Sequence, residues 1–242
     1  MKSLYILKMG DAPLDLIIDH GDYEDQFLTA LNLPPDAARL VNVPLGGALP
    51  KMDDAAGFVI TGSLSNITEN ADWMQKAAAW TRRAVASGLP MMGVCFGHQL
   101  MGWAHGAQVD FNPNGPEYGT VEIELTDEGM EDELLEGLSS PFNAQAAHGQ
   151  SLLTLPEGAV RLAYNGHDAF HALRYGKAAW SFQFHPEWNA RIMRDVLNAH
   201  RDDLTAKGQE PDFLISMVEP TPGASAIMDR FAALVSENLD LF

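Results

Sequence analysis

Residues 90–99 read PMMGVCFGHQ, an apolar run that ends in Gly93-Val94-Cys95-Phe96-Gly97 and carries the chain's single cysteine. The run before Cys95 reads as a strand, and His98 to Ala104 as a helix that Gly106 stops, so a G-x-C-x-G pattern sits where strand turns into helix. Glycines on both sides allow a sharp, strained turn that lifts the middle side chain to the carboxyl edge of a sheet. The following helix aims its first N–H groups and the positive end of its dipole at the sulfur, which favours thiolate. A lone cysteine is ordinarily a packing residue, but one in such an elbow is a nucleophile.

Outward from the elbow, strand and helix patterns alternate. LYILKM (4–9), ARLVNV (38–43) and GFVITG (57–62) read as strands, the last nearly all apolar and hence buried on both faces. DYEDQFLTALN (22–32) reads as the first helix. In NADWMQKAAAWTRRAVASG (70–88), Trp73, Ala77, Trp80, Ala84 and Val85 recur at helical spacing, with Asn70 as N-cap and Gly88 at the C-terminus. From YGTVEIEL (118–125) to AAWSFQFH (178–185) short strands and turns dominate, and PEWNARIMRDVLNAHRD (186–202) returns to helix. A last amphipathic helix surrounds Ile227, Phe231 and Leu234. The expected fold is α/β: a single domain over 1–242 with a mostly parallel central sheet and helices on both faces. Its motif-bearing core covers about 40–200, and a helical extension covers about 201–242.

Composition excludes several classes of function. With 33 acidic against 15 basic residues the formal charge is −18, which repels phosphate backbones and anionic lipid, so no nucleic-acid or membrane partner is expected. One cysteine cannot form an internal disulfide, and Lys8 and Asp11 interrupt the apolar core that a signal peptide needs. No apolar run approaches the roughly 18 residues of a membrane span, and a cytoplasmic location is expected.

A thiol nucleophile needs a base and a group to orient it. FQFHPEW (182–188) supplies both: His185 and Glu187 lie at i and i+2 at a strand end, so they project from one face. Glu187 can then bind one imidazole nitrogen while the other faces the sulfur, and Pro186 ends the ladder pairing. The acid follows the histidine, which disfavours the α/β-hydrolase order of nucleophile, acid, histidine.

GVCFGHQ (93–99) with downstream FQFHPE (182–187) resembles the class I, triad-type glutamine amidotransferases. The likeness spans about residues 57–188: GFVITGS is similar to the family's oxyanion strand, PEYGTVEIEL to its E-x-G strand, and AAHGQSLLTLPEG to its S-H-G-D-x-V-x-x-L-P segment. Among subfamilies it resembles stand-alone GMP-synthase-like proteins, which include γ-glutamyl peptidases. The resemblance implies a flavodoxin-like sheet, no cofactor, and a triad of Cys95, His185 and Glu187. Cys95 would attack a γ-carbonyl, passing through an oxyanion to a γ-glutamyl thioester with loss of ammonia or amine, and water would release glutamate. Phe96 N–H, directly after the nucleophile, is one oxyanion donor, and Ser63 N–H is the second by motif match, with Gly62 shaping the turn. Many biosynthetic members carry glycine where this chain has Ser63. Gln99, one helical turn after Cys95, would contact substrate, and His148 would sit near its α-amino and α-carboxylate groups. Gln150 stands where an acid is usual.

Other residues carry less. His98 and His105 can share a helix face, but without a second cysteine or a carboxylate at ligand spacing no metal site is expected. His20, His167, His171 and His200 read as surface or supporting residues, Trp73, Trp80 and Trp103 as core, and TDEGMEDELLEG (126–137) as a solvated helix and turn. No G-x-x-x-x-G-K-[ST] loop is present. About fifty residues follow Glu187, too few for a fused synthase domain. The readings are therefore a free-standing hydrolase of glutamine or a small γ-glutamyl compound, a glutaminase passing ammonia to a separate synthase, or a non-catalytic binding protein, which the intact triad disfavours. An outer pocket is expected from the loops around Asp11–Tyr23 and Asn112–Tyr118.

Overall fold

Strand Ala55–Ile60 buries six residues in succession, as a strand covered on both faces must. In the computed structural model, which describes residues 2–239, it lies inside a nine-stranded sheet. The strands are β1 Ser3–Lys8, β2 Ala38–Asn42, β3 Ala55–Ile60, β4 Met91–Val94, β5 Val109–Phe111 and β6 Glu117–Leu125. Then come β7 Phe142–His148, β8 Gln150–Leu152, β9 Ala159–Tyr164, β10 Ala172–Tyr175 and β11 Ala179–Phe182. The helices are α1 Leu14–His20, α2 Tyr23–Leu31, α3 Asp72–Ser87, α4 Phe96–Ala104 and α5 Asp127–Met130. They continue with α6 Ala190–Ala199, α7 Arg201–Ala206, α8 Pro211–Ser216 and α9 Pro222–Ser236.

The sheet order is β2-β1-β3-β4-β11-β10-β9-β6-β7. Its first five strands are parallel, forming the half anticipated from the apolar runs. The other half, from β11 through β7, is antiparallel, so the sheet is mixed. It curls back on itself where His185 N–H donates to the Gln145 carbonyl of β7 at 2.8 Å. Register fixes the site: Leu7 pairs with Ile60, Ile60 with Gly93, and Val94 with Phe182. The carboxyl ends of β1, β3, β4 and β11 therefore share one edge, and the segments leaving them meet there.

Several local readings are corrected. Asn70 does not cap α3; it adopts a left-handed conformation that closes a short 3-10 turn at Ile67–Glu69, and Ala71 takes the N-cap position. Asparagine tolerates that conformation, so the turn claims it first. Gly88 does end α3 with φ of 74°. A short helix, α1, precedes the one expected at 22–32, and its start follows Pro13. In the acidic run, Asp132 is buried and accepts from Trp180 Nε1 at 2.9 Å and Arg174 Nε at 2.8 Å, so that segment is anchored rather than solvated throughout. Trp80 is core, edge-on to Phe58, while Trp73 and Trp103 pack half-buried against the same cluster. Ile227, Phe231 and Val235 of α9 share a buried cluster with Leu4, Val59 and Phe142. Residues 240–242 of the expected extension lie outside the described residues. Among the described residues no helix is long and apolar enough to cross a membrane.

Candidate active site

Cys95 has φ of 54° and ψ of −107°, one of three non-glycine residues with positive φ among those described. That conformation is strained for an L-residue and persists only where its surroundings impose it. The flanking glycines impose it through contact, not through left-handed backbone of their own. A Cβ on Gly93 would lie 2.7 Å from the Gly97 carbonyl oxygen, and one on Gly97 would lie 2.3 Å from that of Ile60. Gly97→Ala is accordingly expected to destabilise the fold by about 2 kcal/mol or more, because backbone must move to admit a methyl group. Urea unfolding monitored by circular dichroism checks this, and an unchanged midpoint would count against the close packing of β3 on α4.

The three triad candidates come together. His185 Nδ1 and Glu187 Oε1 are 2.7 Å apart, and both side chains are buried. A Cβ on Gly62 would meet His185 Cε1 at 3.7 Å, Cys95 Cβ at 3.9 Å and Tyr23 Cε1 at 4.0 Å, so these side chains converge over the turn that follows β3. Burial disfavours the His185 cation, but the Glu187 carboxylate and the Cys95 sulfur outweigh it and push the pKa up to about 9. Cys95 Sγ also lies 3.8 Å from the Ala147 carbonyl.

Phe96 is the first residue of α4, where an N–H has no intrahelical acceptor. The Gly62–Ser63 peptide is pinned by Thr61, whose hydroxyl donates to the Gly62 carbonyl at 2.9 Å while its oxygen accepts from Met9 N–H at 3.0 Å. Ser63 Oγ accepts from Ser65 N–H at 3.1 Å, and a Cβ on Gly10 would sit 2.7 Å from it, so the hydroxyl is directed at the β1 loop.

Gln99, His148 and Gln150 form a packed wall behind the elbow. Gln99 Nε2 donates to the Gln150 carbonyl at 2.7 Å and to Gln183 Oε1 at 3.0 Å. The Gln150 side chain accepts from Ile67 N–H at 2.9 Å and donates to Thr68 Oγ1 at 2.7 Å, tying β8 to the loop that follows β3. A carboxylate there could not donate the second of these bonds and could only accept one from the Thr68 hydroxyl. His148 Nδ1 lies 3.1 Å from the Gln150 carbonyl and Nε2 3.0 Å from Glu117 Oε2. The loop at 112 joins this wall through Asn112 Nδ2, which donates to Ser151 Oγ at 2.9 Å.

Glu117 and His171 were not anticipated in these roles. His171, expected at the surface or in support, is fully buried with Nε2 3.1 Å from Glu117 Oε2. Burial works against the Glu117 charge, but His148 and His171 hold its carboxyl well below the usual range. Glu117, His148 and His171 are the one group among the described residues whose ligand atoms lie close enough to share a cation, all within 4.8 Å. The carboxylate is already occupied by protein donors, Asn165 Nδ2 at 2.8 Å included, and the cluster braces the wall. His98 and His105 turn to separate partners, Ser181 Oγ at 2.7 Å and the Met101 carbonyl at 2.8 Å. Burial pushes the His98 pKa down to about 3.

Tyr23 was also missed as a site residue. It opens α2 behind an Asp22 capping box, and Asp22 in turn holds the Ala12 N–H at 2.9 Å. Burial, then the nearby Cys95 sulfur and Asp22, raise its phenol well above the ordinary value. The buried Lys8 ammonium pairs with Asp22, with Asp11 at 2.8 Å and with Glu24 at 3.2 Å, locking the β1 loop to α2. A tyrosine opening a helix after an N-cap aspartate gives no sequence signal beyond bounding the loop at 11–23.

A buried thiol at a strained elbow, a histidine–carboxylate pair and a pinned peptide meet at one sheet edge. The glutamine amidotransferase class-I family matches residues 43–199, and the chain belongs to that family. It is similar to γ-glutamyl peptidase 4 of Arabidopsis thaliana, 29% identical over 74% of this chain and 73% of the relative. It is equally similar, at 29% identity, to γ-glutamyl-L-1-hydroxyisopropylamide hydrolase of a Pseudomonas species, over 90% of this chain and 73% of that one. A GMP synthase of Aeropyrum pernix is 32% identical over 64% of this chain but only 28% of its own length. The crystal structure of a glutamine amidotransferase from Methylobacillus flagellatus superposes with a TM-score of 0.78 at 21% identity, covering 99% of this chain and 96% of that one, which shows the shared fold.

Proposed function

We propose that this protein hydrolyses the γ-glutamyl amide bond of a small compound, with Cys95 as nucleophile, His185 as general acid and base, and Glu187 as the group that orients it. The observation that carries this reading is the convergence of Cys95, held at its strained elbow, with the His185–Glu187 pair over Gly62. The Cys95 sulfur attacks the γ-carbonyl carbon, and the resulting oxyanion takes hydrogen bonds from the Phe96 and Ser63 N–H groups. His185 then gives its proton to the leaving nitrogen, the C–N bond breaks, and a γ-glutamyl thioester remains. Water, losing a proton to His185, attacks the thioester and releases glutamate and the thiolate. Gln99 and His148 are buried, so they shape the glutamyl pocket through the wall they hold and through backbone groups near Ala147.

A free-standing hydrolase is favoured over a glutaminase subunit because the relatives named for γ-glutamyl hydrolysis match across most of both chains. The similarity to a synthase supports the second reading, in which ammonia passes to a separate synthase, but it is confined to a minor part of that protein. Thioester chemistry is indifferent to the leaving amine, so selectivity resides in contacts beyond the γ-nitrogen. Glutamate release from glutamine, glutathione, γ-glutamyl dipeptides and γ-glutamyl amines by the purified chain is the test. Turnover without a partner, faster on a compound other than free glutamine, is expected. Activity that appears only when a co-purified synthase is added would overturn the free-standing reading.

A further inference from the structure

The indole of Trp188 lies flat on the imidazole of His185, with ring centroids 3.5 Å apart and planes 6° from parallel. Neutral aromatic pairs prefer edge-on or offset packing at longer separations, whereas a cation gains by sitting over an indole face. The indole is itself held in place. Its Nε1 donates to Gln26 Oε1 at 2.8 Å, and Gln26 Nε2 donates to the Gly21 carbonyl at 3.1 Å. Trp188 is 5% and Gln26 3% exposed, so solvent does not compete for these bonds. Trp188 also packs in a cluster with Ala12, Leu16, Tyr23 and Ile192.

The hydrogen bond from Nδ1 to Glu187 fixes one end of the His185 ring but leaves it able to tilt about that bond, which would carry Nε2 away from the sulfur. A flat, immobile surface against one face removes that freedom. The ionisable groups that face His185 are Glu187 from its own segment, Cys95 from the elbow and Tyr23 from α2, with Asp22 and Asp11 beyond Tyr23. Trp188 adds no titrating group; it adds a polarisable face.

We propose that Trp188 is the positioning residue of the catalytic base, a shelf locked by Gln26 that fixes the His185 ring toward Cys95 and favours its imidazolium form. The proposal rests on the reading of Cys95 and His185 as nucleophile and base, and it carries the placement of α2 into the site through Gln26.

Trp188→Leu removes the shelf, Trp188→Phe keeps an aromatic face without the tether, and Gln26→Ala releases the indole. The readouts are the His185 Cε1–H resonance of histidine-labelled protein across pH, the rate at which iodoacetamide alkylates Cys95 at neutral pH, and kcat and KM. In wild type the resonance should lie upfield of an exposed histidine, because of the indole ring current. In Trp188→Leu it should move downfield, with its titration midpoint lower by about one pH unit. Alkylation should slow several-fold, and kcat should fall about tenfold with KM within about twofold, as loss of orientation rather than of binding predicts. Trp188→Phe, which keeps a face but loses the tether, and Gln26→Ala, which keeps the indole but frees it, should each fall between wild type and Trp188→Leu. A folded Trp188→Leu protein with unchanged His185 titration and unchanged alkylation overturns the proposal. If Trp188→Leu does not fold, unchanged values in Gln26→Ala overturn it equally. Should no γ-glutamyl compound be turned over, the proposed function fails, while the resonance and the alkylation rate still decide the role of Trp188.

Discussion

Cys95→Ala is expected to lower glutamate release by about 10,000-fold or more while leaving the circular dichroism spectrum and thermal midpoint near those of wild type. The side chain stands at the end of β4 with its backbone already held by Gly93 and Gly97, so the thiol is dispensable to the fold and indispensable to the proposed chemistry. Cys95→Ser should behave alike, since a hydroxyl in place of a thiol retains far too little nucleophilic anion at neutral pH. A glutamine-like chloroketone should label Cys95 and block turnover at one equivalent. Near wild-type turnover in either variant would remove the nucleophile assignment and with it the thioester mechanism.

His185→Ala is expected to cost nearly as much, about 10,000-fold, because no other group among the described residues is placed to exchange protons with both the sulfur and the leaving nitrogen. Glu187→Gln should cost one to two decades less, since the carboxylate orients and stabilises the imidazolium without carrying the proton itself. Equal losses in the two variants would give Glu187 a larger share than orientation. The same pair predicts a pH dependence of stability. The folded pKa of His185, about 9, lies above its value in the unfolded chain, so protonation favours folding. That contribution is fully present below about pH 6.5 and is lost as pH rises through about 9. The difference in urea midpoint between wild type and Glu187→Gln should therefore shrink across that window. A difference that grows with pH would mean that His185 is neutral in the folded protein.

These expectations rest on features of unequal legibility. Readable in the chain itself were the elbow at residues 93–97, the His185–Glu187 spacing, the apolar β3 strand and the helical period of α3. Each depends on neighbours within a few positions, where strand and helix periods dictate which side chains share a face. The antiparallel half of the sheet was not readable that way. Whether β11 pairs with β4 in parallel or β10 against it depends on which long-range faces bury each other, and short alternating strands satisfy either arrangement. Asn70 was missed for a local reason instead: Asn66 and Glu69 form a capping box around the turn just before it, and Asn70 closes that turn.

Tertiary structure alone brought together Glu117, His148 and His171, which come from β6, β7 and the segment before β10 and are buried as one cluster around the Glu117 carboxylate. An isolated buried carboxylate is too costly to keep charged, so its partners had to be assembled by strand order rather than by spacing. Trp188 shows both sides of the division. Its place three residues after His185 is visible in the sequence, and the turn closed by Trp188 N–H on the His185 carbonyl makes contact possible. That the two rings lie face to face, and not apart, is decided by Gln26 arriving from α2 to hold the indole, a hydrogen bond spanning 162 positions that no local period encodes.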